Sequence, residues 1–131
     1  MTAPLRAIAK RIAAMATITV TADQDDTPVR GNAMDSGDAV FDKQCEDEII
    51  ARLEHDVWAW ASVTVIVKLK LKTSVFEERD YLGAVCCYKD KEEFLAGEDY
   101  QDMVSNASTT LAERLWHEKA VLSEFFDTIK E

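Results

Sequence analysis

The sequence predicts an α+β fold: a three-stranded, mostly antiparallel sheet, in the chain order β-α-β-β-α, with two main helices packed on one face. Three observations predict it. One alternating stretch runs for about 17 residues, from Asp56 to Lys72. Two shorter alternating stretches lie at 16–22 and 80–88. Two long segments, 39–55 and 98–131, carry apolar residues at helical spacing.

The long stretch is the centre of the prediction. Strand side chains point alternately to the two faces of a sheet. The odd positions Val57, Ala59, Ala61, Val63, Val65, Val67, Leu69 and Leu71 are all apolar, and valine suits a pleated surface. This face is expected to pack on helices. The even positions run from Trp58 and Trp60 through Ser62, Thr64 and Ile66 to Lys68, Lys70 and Lys72, so the lysine end is expected in water. Trp58 and Trp60 break the polar pattern of that face. Two readings stand: another segment covers them, or they form a partner-binding patch, since tryptophan is enriched at interface hot spots.

The remaining elements follow in order. Residues 1–15 are a basic block with Arg6, Lys10, Arg11 and no acid. Ile8, Ile12 and Met15 recur at helical spacing, yet the block reads as a poorly ordered N-terminal extension, with Met15 as an alternative start. Its charges sit inside the apolar stretch, which argues against a signal peptide. Residues 16–131 are then expected to form a single domain. Residues 16–22 alternate Ile18 and Val20 with threonines and read as a strand. Residues 23–38 hold the turn formers Asp, Asn, Gly and Pro and read as a long loop. Residues 39–55 read as a helix capped by Ser36 or Asp38, with Phe41, Cys45, Ile49 and Leu53 as its buried stripe.

Thr73 to Arg79 reads as a turn, and Asp80 to Tyr88 as the third strand, with Gly83 as a bulge or a close approach of a tryptophan. Lys89 to Ala96 reads as one helical turn stopped by Gly97. From Glu98 the chain reads as helical, with a stripe through Met103, Ala107, Leu111, Leu115, Leu122 and Phe125. The weak helix formers Ser105 to Thr110 predict a kink or break.

Charge and composition exclude several functions. Apolar residues make up 47% of the chain, with four Gly and two Pro, as in a folded protein. A net charge of −10 is unfavourable for direct nucleic-acid binding and for anionic membranes. No uncharged apolar run is long enough to cross a membrane. Residues 23–56 carry eleven acids against three bases, so the negative charge is concentrated in the loop and the first predicted helix. Such a segment suits a partner with a basic surface. Three cysteines without a secretory signal fit a reducing cytoplasm, with free thiols.

A search for chemistry finds no catalytic, metal or cofactor set. Asp23, Asp25, Asp26, Asp35 and Asp38 lack the ligand spacing of an EF-hand. His55 and His117 have no partner at a recognised metal spacing. A Cys–His pair using Cys86 or Cys87 has no support in the spacing. There is no Gly-rich phosphate loop and no nucleophile elbow. The sequence therefore favours a binding role over an enzyme.

At Pro28-Val29-Arg30-Gly31-Asn32-Ala33, Ser36-Gly37-Asp38, Asp56-Val57-Trp58-Ala59-Trp60-Ala61 and Tyr81-Leu82-Gly83, the chain resembles a group of small, uncharacterised phage and prophage proteins. The resemblance covers about residues 15–131 and departs at Lys68 to Phe76. It implies a bacterial host cytoplasm, and by analogy a host-directed inhibitor such as an anti-CRISPR protein or a nucleic-acid mimic. The expected function is docking on a basic surface of a host protein through Asp42, Glu46, Asp47, Glu48, Trp58, Trp60 and Tyr81. The second expectation is a structural or assembly protein that forms a homodimer through Trp116, Leu122, Phe125 and Phe126.

Overall fold

The computed structural model describes residues 2–86 and 88–130, except for the side chains of 84–86, 119 and 120. The elements are α1 (Ala3–Met15), β1 (Thr17–Gln24), α2 (Ala39–Leu53), a 3₁₀ turn (Val57–Ala59), β2 (Ala61–Lys70), β3 (Val75–Cys86), α3 (Lys91–Leu95), α4 (Glu98–His117) and α5 (Lys119–Ile129). The strands form one antiparallel sheet in the order β1-β2-β3. The fold is α+β, with helices packed on the sheet.

The central strand is β2, and its odd face is the apolar one. Ala61, Val63, Val65 and Val67 are fully buried and Leu69 nearly so, while Ser62, Thr64, Ile66 and Lys68 are half-buried and Lys70 is exposed. Burying one valine contributes about 1.5–3 kcal/mol. A slip of one residue would turn the whole set outward, so this alternation fixes the register.

The chain divides into two compact units. One comprises Met1–Val20, Val65–Asp80 and Glu98–Glu131; the other comprises Thr21–Thr64 and Tyr81–Gly97. In the first unit α1 packs along α4. The expectation that residues 1–15 stand outside the fold is corrected here. Ile12 is fully buried and Ile8 and Ala9 are buried beside it. The Thr2 hydroxyl accepts from Leu5 N–H at 3.4 Å, and Pro4 sits in the first turn, where a missing N–H costs nothing. Along α4, Met103, Ala107, Leu111 and Leu115 are all buried.

Helix α4 runs unbroken through 105–110, where a break was expected. Tertiary ties offset the weak propensity. The Asn106 amide donates to Asp80 at 3.1 Å. Arg114 donates to the Glu77 carbonyl and the Glu78 carboxylate, and lies over the Phe76 ring at 5.5 Å. The helix breaks instead at Glu118, whose backbone is non-helical (φ −116°, ψ 89°).

The turn before β3 is shorter than expected. It spans residues 71–74, closed by Leu71 N–H donating to the Ser74 carbonyl at 2.8 Å, and Val75 already belongs to the strand. Glu124 of α5 anchors this turn. It accepts from Thr73 N–H at 2.5 Å, from the Thr73 hydroxyl at 2.9 Å and from the Ser74 hydroxyl at 3.2 Å. These bonds, the Thr73 backbone bond foremost, hold the Glu124 carboxyl below its ordinary value. A folded-state value below the unfolded one gives stability that is complete above the unfolded value, about 4.3, and is lost as pH falls through the lowered one. Glu124→Gln is therefore expected to flatten the acid limb of Tm against pH below about pH 4.5. A variant with the wild-type acid slope would remove Glu124 from the account.

The second unit corrects the start of the long predicted strand. Val57–Ala59 form a 3₁₀ turn, because the Asp56 carboxylate accepts from Trp58 N–H at 3.0 Å and caps it. Trp58 and Trp60 are thus not on the even face of a strand. Trp60 is 3% exposed, and its Nε1–H donates to the Thr27 carbonyl at 2.7 Å. Half-buried Trp58 packs with Tyr88 and fully buried Phe94, at ring separations of 6.2 and 5.7 Å. Arg52 ties this corner together. It donates to Asp56 at 2.9 Å, to the Tyr88 carbonyl at 2.6 Å and to the Lys89 carbonyl at 2.9 Å. The bond from Arg52, and then that from Trp58 N–H, hold Asp56 below its ordinary value. Gly83 stands near Asp25, not a tryptophan: a Cβ there would lie 3.8 Å from the Asp25 carboxylate, an ordinary contact.

Candidate interaction surface

The surface is built by α2 and the loop before it, both in the second unit. The loop needs two left-handed residues, and glycine occupies both: Gly31 at φ +81° and Gly37 at φ +88°. Asp38 then caps α2, accepting from Val40 N–H at 3.0 Å and Phe41 N–H at 3.2 Å. The Ser36 hydroxyl donates to Asp42 at 2.6 Å and folds the loop end onto the first turn.

A buried carboxylate pins the middle of the loop. Glu46 is 9% exposed. It accepts from Gly31 N–H at 2.7 Å and from Arg30 at 3.3 Å, while Arg30 also pairs with Asp47. The Asp47 bond is the main reason the Arg30 guanidinium is raised above its ordinary value. Glu46 is therefore a structural group and not a free docking charge, which corrects its expected role. A buried acceptor with two donors is stabilising, whereas an unpaired one is costly.

Glu46 also sets the rotation of the helix. The expected stripe began at Phe41, but Phe41 is 47% exposed. The inward side is centred instead on Glu46, with Ile49, Ile50 and Leu53 half-buried around it. At 3.6 residues per turn, Val40, Phe41, Gln44, Asp47, Glu48 and Ala51 share the opposite face, and all are exposed. Val40 is 70% exposed, and Met34 in the adjoining loop is 39% exposed. Large apolar side chains thus stand beside acids on one helical face. Glu48 on this face and Asp35 in the loop are exposed acids without an ion pair among the described residues.

The other expected site residues scatter. Asp42 is half-buried and bonded to Ser36; Tyr81 is 66% exposed on β3. Trp60 and Glu46 are buried, so neither offers contact area. Of the expected self-association residues, Trp116 and Phe126 are exposed and Leu122 is half-buried. Phe125 is fully buried in the first unit, so that part of the expectation is corrected. Sequence reading missed Val40, Phe41, Met34 and the pairing of exposed Arg30 with buried Glu46. The concentration of acids in 23–56 and the capping signal at Ser36–Asp38 were the signals that pointed to this corner.

Among the described residues no three of His, Cys, Asp or Glu are grouped to hold a metal ion, and no helix is long and apolar enough to cross a membrane. Cys45 is a free thiol. Cys87 lies outside the described residues, as does the side chain of Cys86. Comparison with protein-family models, curated proteins and solved structures finds no match to this chain.

Proposed function

We propose that the protein is a small acidic binding protein that docks on a basic surface of another protein. The observation that carries this reading is the outer face of α2. Val40 and Phe41 stand exposed there beside Asp47 and Glu48, within a segment of eleven acids and three bases. Acids at the rim steer encounter with a basic partner, and the apolar side chains supply desolvated contact area. The internal bonds of Asp38, Asp42 and Glu46 hold this face in one conformation before binding, which lowers the ordering cost. The resemblance to phage proteins supports a bacterial host protein as partner. Inhibitors of host defence match in size and charge, by analogy alone.

The test is capture from a bacterial lysate at low and high salt, followed by mass spectrometry. The reading expects one protein with a basic surface, retained stoichiometrically at low salt, released at high salt, and not retained by Phe41→Ala. Equal retention by wild type and Phe41→Ala would contradict it. Recovery of nothing beyond the protein itself would favour the second reading, a homodimer through Trp116 and Phe126, which are 43% and 41% exposed.

A further inference from the structure

The first unit contains a groove of about 420 Å³ between the flanks of α1 and α4. Ala9 and Ala13 line it from α1, and Val104 and Ser108 from α4. Arg6 and Lys10 stand in its wall as well. We infer that this groove binds an amphipathic monocarboxylate, with an apolar body along the alanines and Val104 and its head toward Arg6, Lys10 and Ser108.

Three independent observations point there. First, Ser108 is 1% exposed and its Oγ has no hydrogen-bond partner among the described residues. Buried polar groups are nearly always bonded, so a lone hydroxyl against a groove suits a ligand oxygen. Second, Arg6 and Lys10 are one turn apart, and like charges at that spacing repel. Among the described residues no carboxylate pairs with either, in a chain of net charge −10. An anion between them removes the repulsion. Third, the volume falls in the range of small-molecule sites, which are mostly apolar with a few placed polar groups. The wall fits that description: its surface is mostly apolar, and Tyr100, Gln101, Ser105, Ser108 and Thr109 join the two cations in its lining. Nothing here depends on the outer face of α2, which belongs to the other unit.

The test titrates the full chain with decanoate, kept below its micellar concentration, by calorimetry and by amide chemical shifts. Saturable one-site binding is expected, with Kd of about 1 mM or tighter. The shifts are expected at Ala9, Ala13, Val104 and Ser108. Decanol, which has the tail without the charge, is expected to bind at least tenfold more weakly. Arg6→Glu with Lys10→Glu, both at exposed positions, is expected to cost at least tenfold for decanoate and little for decanol. Ser108→Ala is expected to weaken decanoate several-fold while raising Tm slightly, because it deletes an unbonded hydroxyl. The inference is overturned if decanoate does not saturate on the wild-type chain. It is equally overturned if decanol matches decanoate, or if the double variant matches wild type with its fold intact by circular dichroism.

Discussion

Ile12→Ala is expected to lower the free energy of unfolding by about 2–5 kcal/mol. Ile12 is fully buried in the stripe of α1 that packs along α4. Truncation removes transfer free energy and leaves a cavity that the facing helices close only in part. Against a typical total of about 5–15 kcal/mol, that is a large fraction. The control is Arg11→Ala one residue away, at an exposed position, where a change within about 0.5 kcal/mol is expected. Urea unfolding followed by far-ultraviolet circular dichroism gives both values. If α1 were an appendage, the two variants would be equally stable, and that result would remove α1 from the fold.

Phe94→Ala is expected to cost about 3–5 kcal/mol in the second unit. Helix α3 spans only Lys91–Leu95, too short to be stable by itself. Its anchor is Phe94, fully buried, with its ring 5.2 Å from Tyr88 and 5.7 Å from Trp58. Aromatic pairs of this kind contribute about 0.5–1.5 kcal/mol beyond their burial. The near-ultraviolet circular dichroism of the tryptophans and tyrosine is expected to collapse with the stability. A loss under about 1 kcal/mol would mean that the cluster does not hold this unit together.

These two positions show where the sequence was legible and where it was not. The odd face of β2 was readable because five successive odd residues are apolar and the pattern has period two. It failed at Val57–Trp60 because Asp56 offers those backbone groups a side-chain acceptor, and local capping won over alternation. The helical spacing of Ile8 and Ile12 was visible, but its weight depended on a partner stripe on α4, which lies almost a hundred residues away in the chain. The break expected at Ser105–Thr110 was a propensity argument, and the ties of Asn106 and Arg114 to β3 overrode it.

The outer face of α2, proposed as the docking surface, was the least legible part. Periodicity arguments count apolar residues, so Phe41 was read as inward and Glu46 as outward. The structure reverses both, because Gly31 and Arg30 supply donors that let a carboxylate face in. Concentration of acids in 23–56 was visible in the sequence. Which of them are engaged was not: Asp38, Asp42, Glu46, Asp47 and Asp56 all hold the local structure, whereas Asp35 beside α2 and Glu48 on its outer face form no ion pair among the described residues.

That distinction fixes the most direct measurement. The affinity of the captured basic partner should be determined as a function of ionic strength, for wild type and for Asp35→Lys with Glu48→Lys. Both substitutions leave every hydrogen bond of the loop and α2 in place. The account predicts that wild-type affinity falls as salt rises through the range where the Debye length shortens from about 30 to 8 Å. It predicts that the double variant binds at least tenfold more weakly at low salt, mainly through slower association, with a flatter salt dependence. Equal affinity and an unchanged salt slope for the two proteins would contradict the claim that this acidic face is the docking surface.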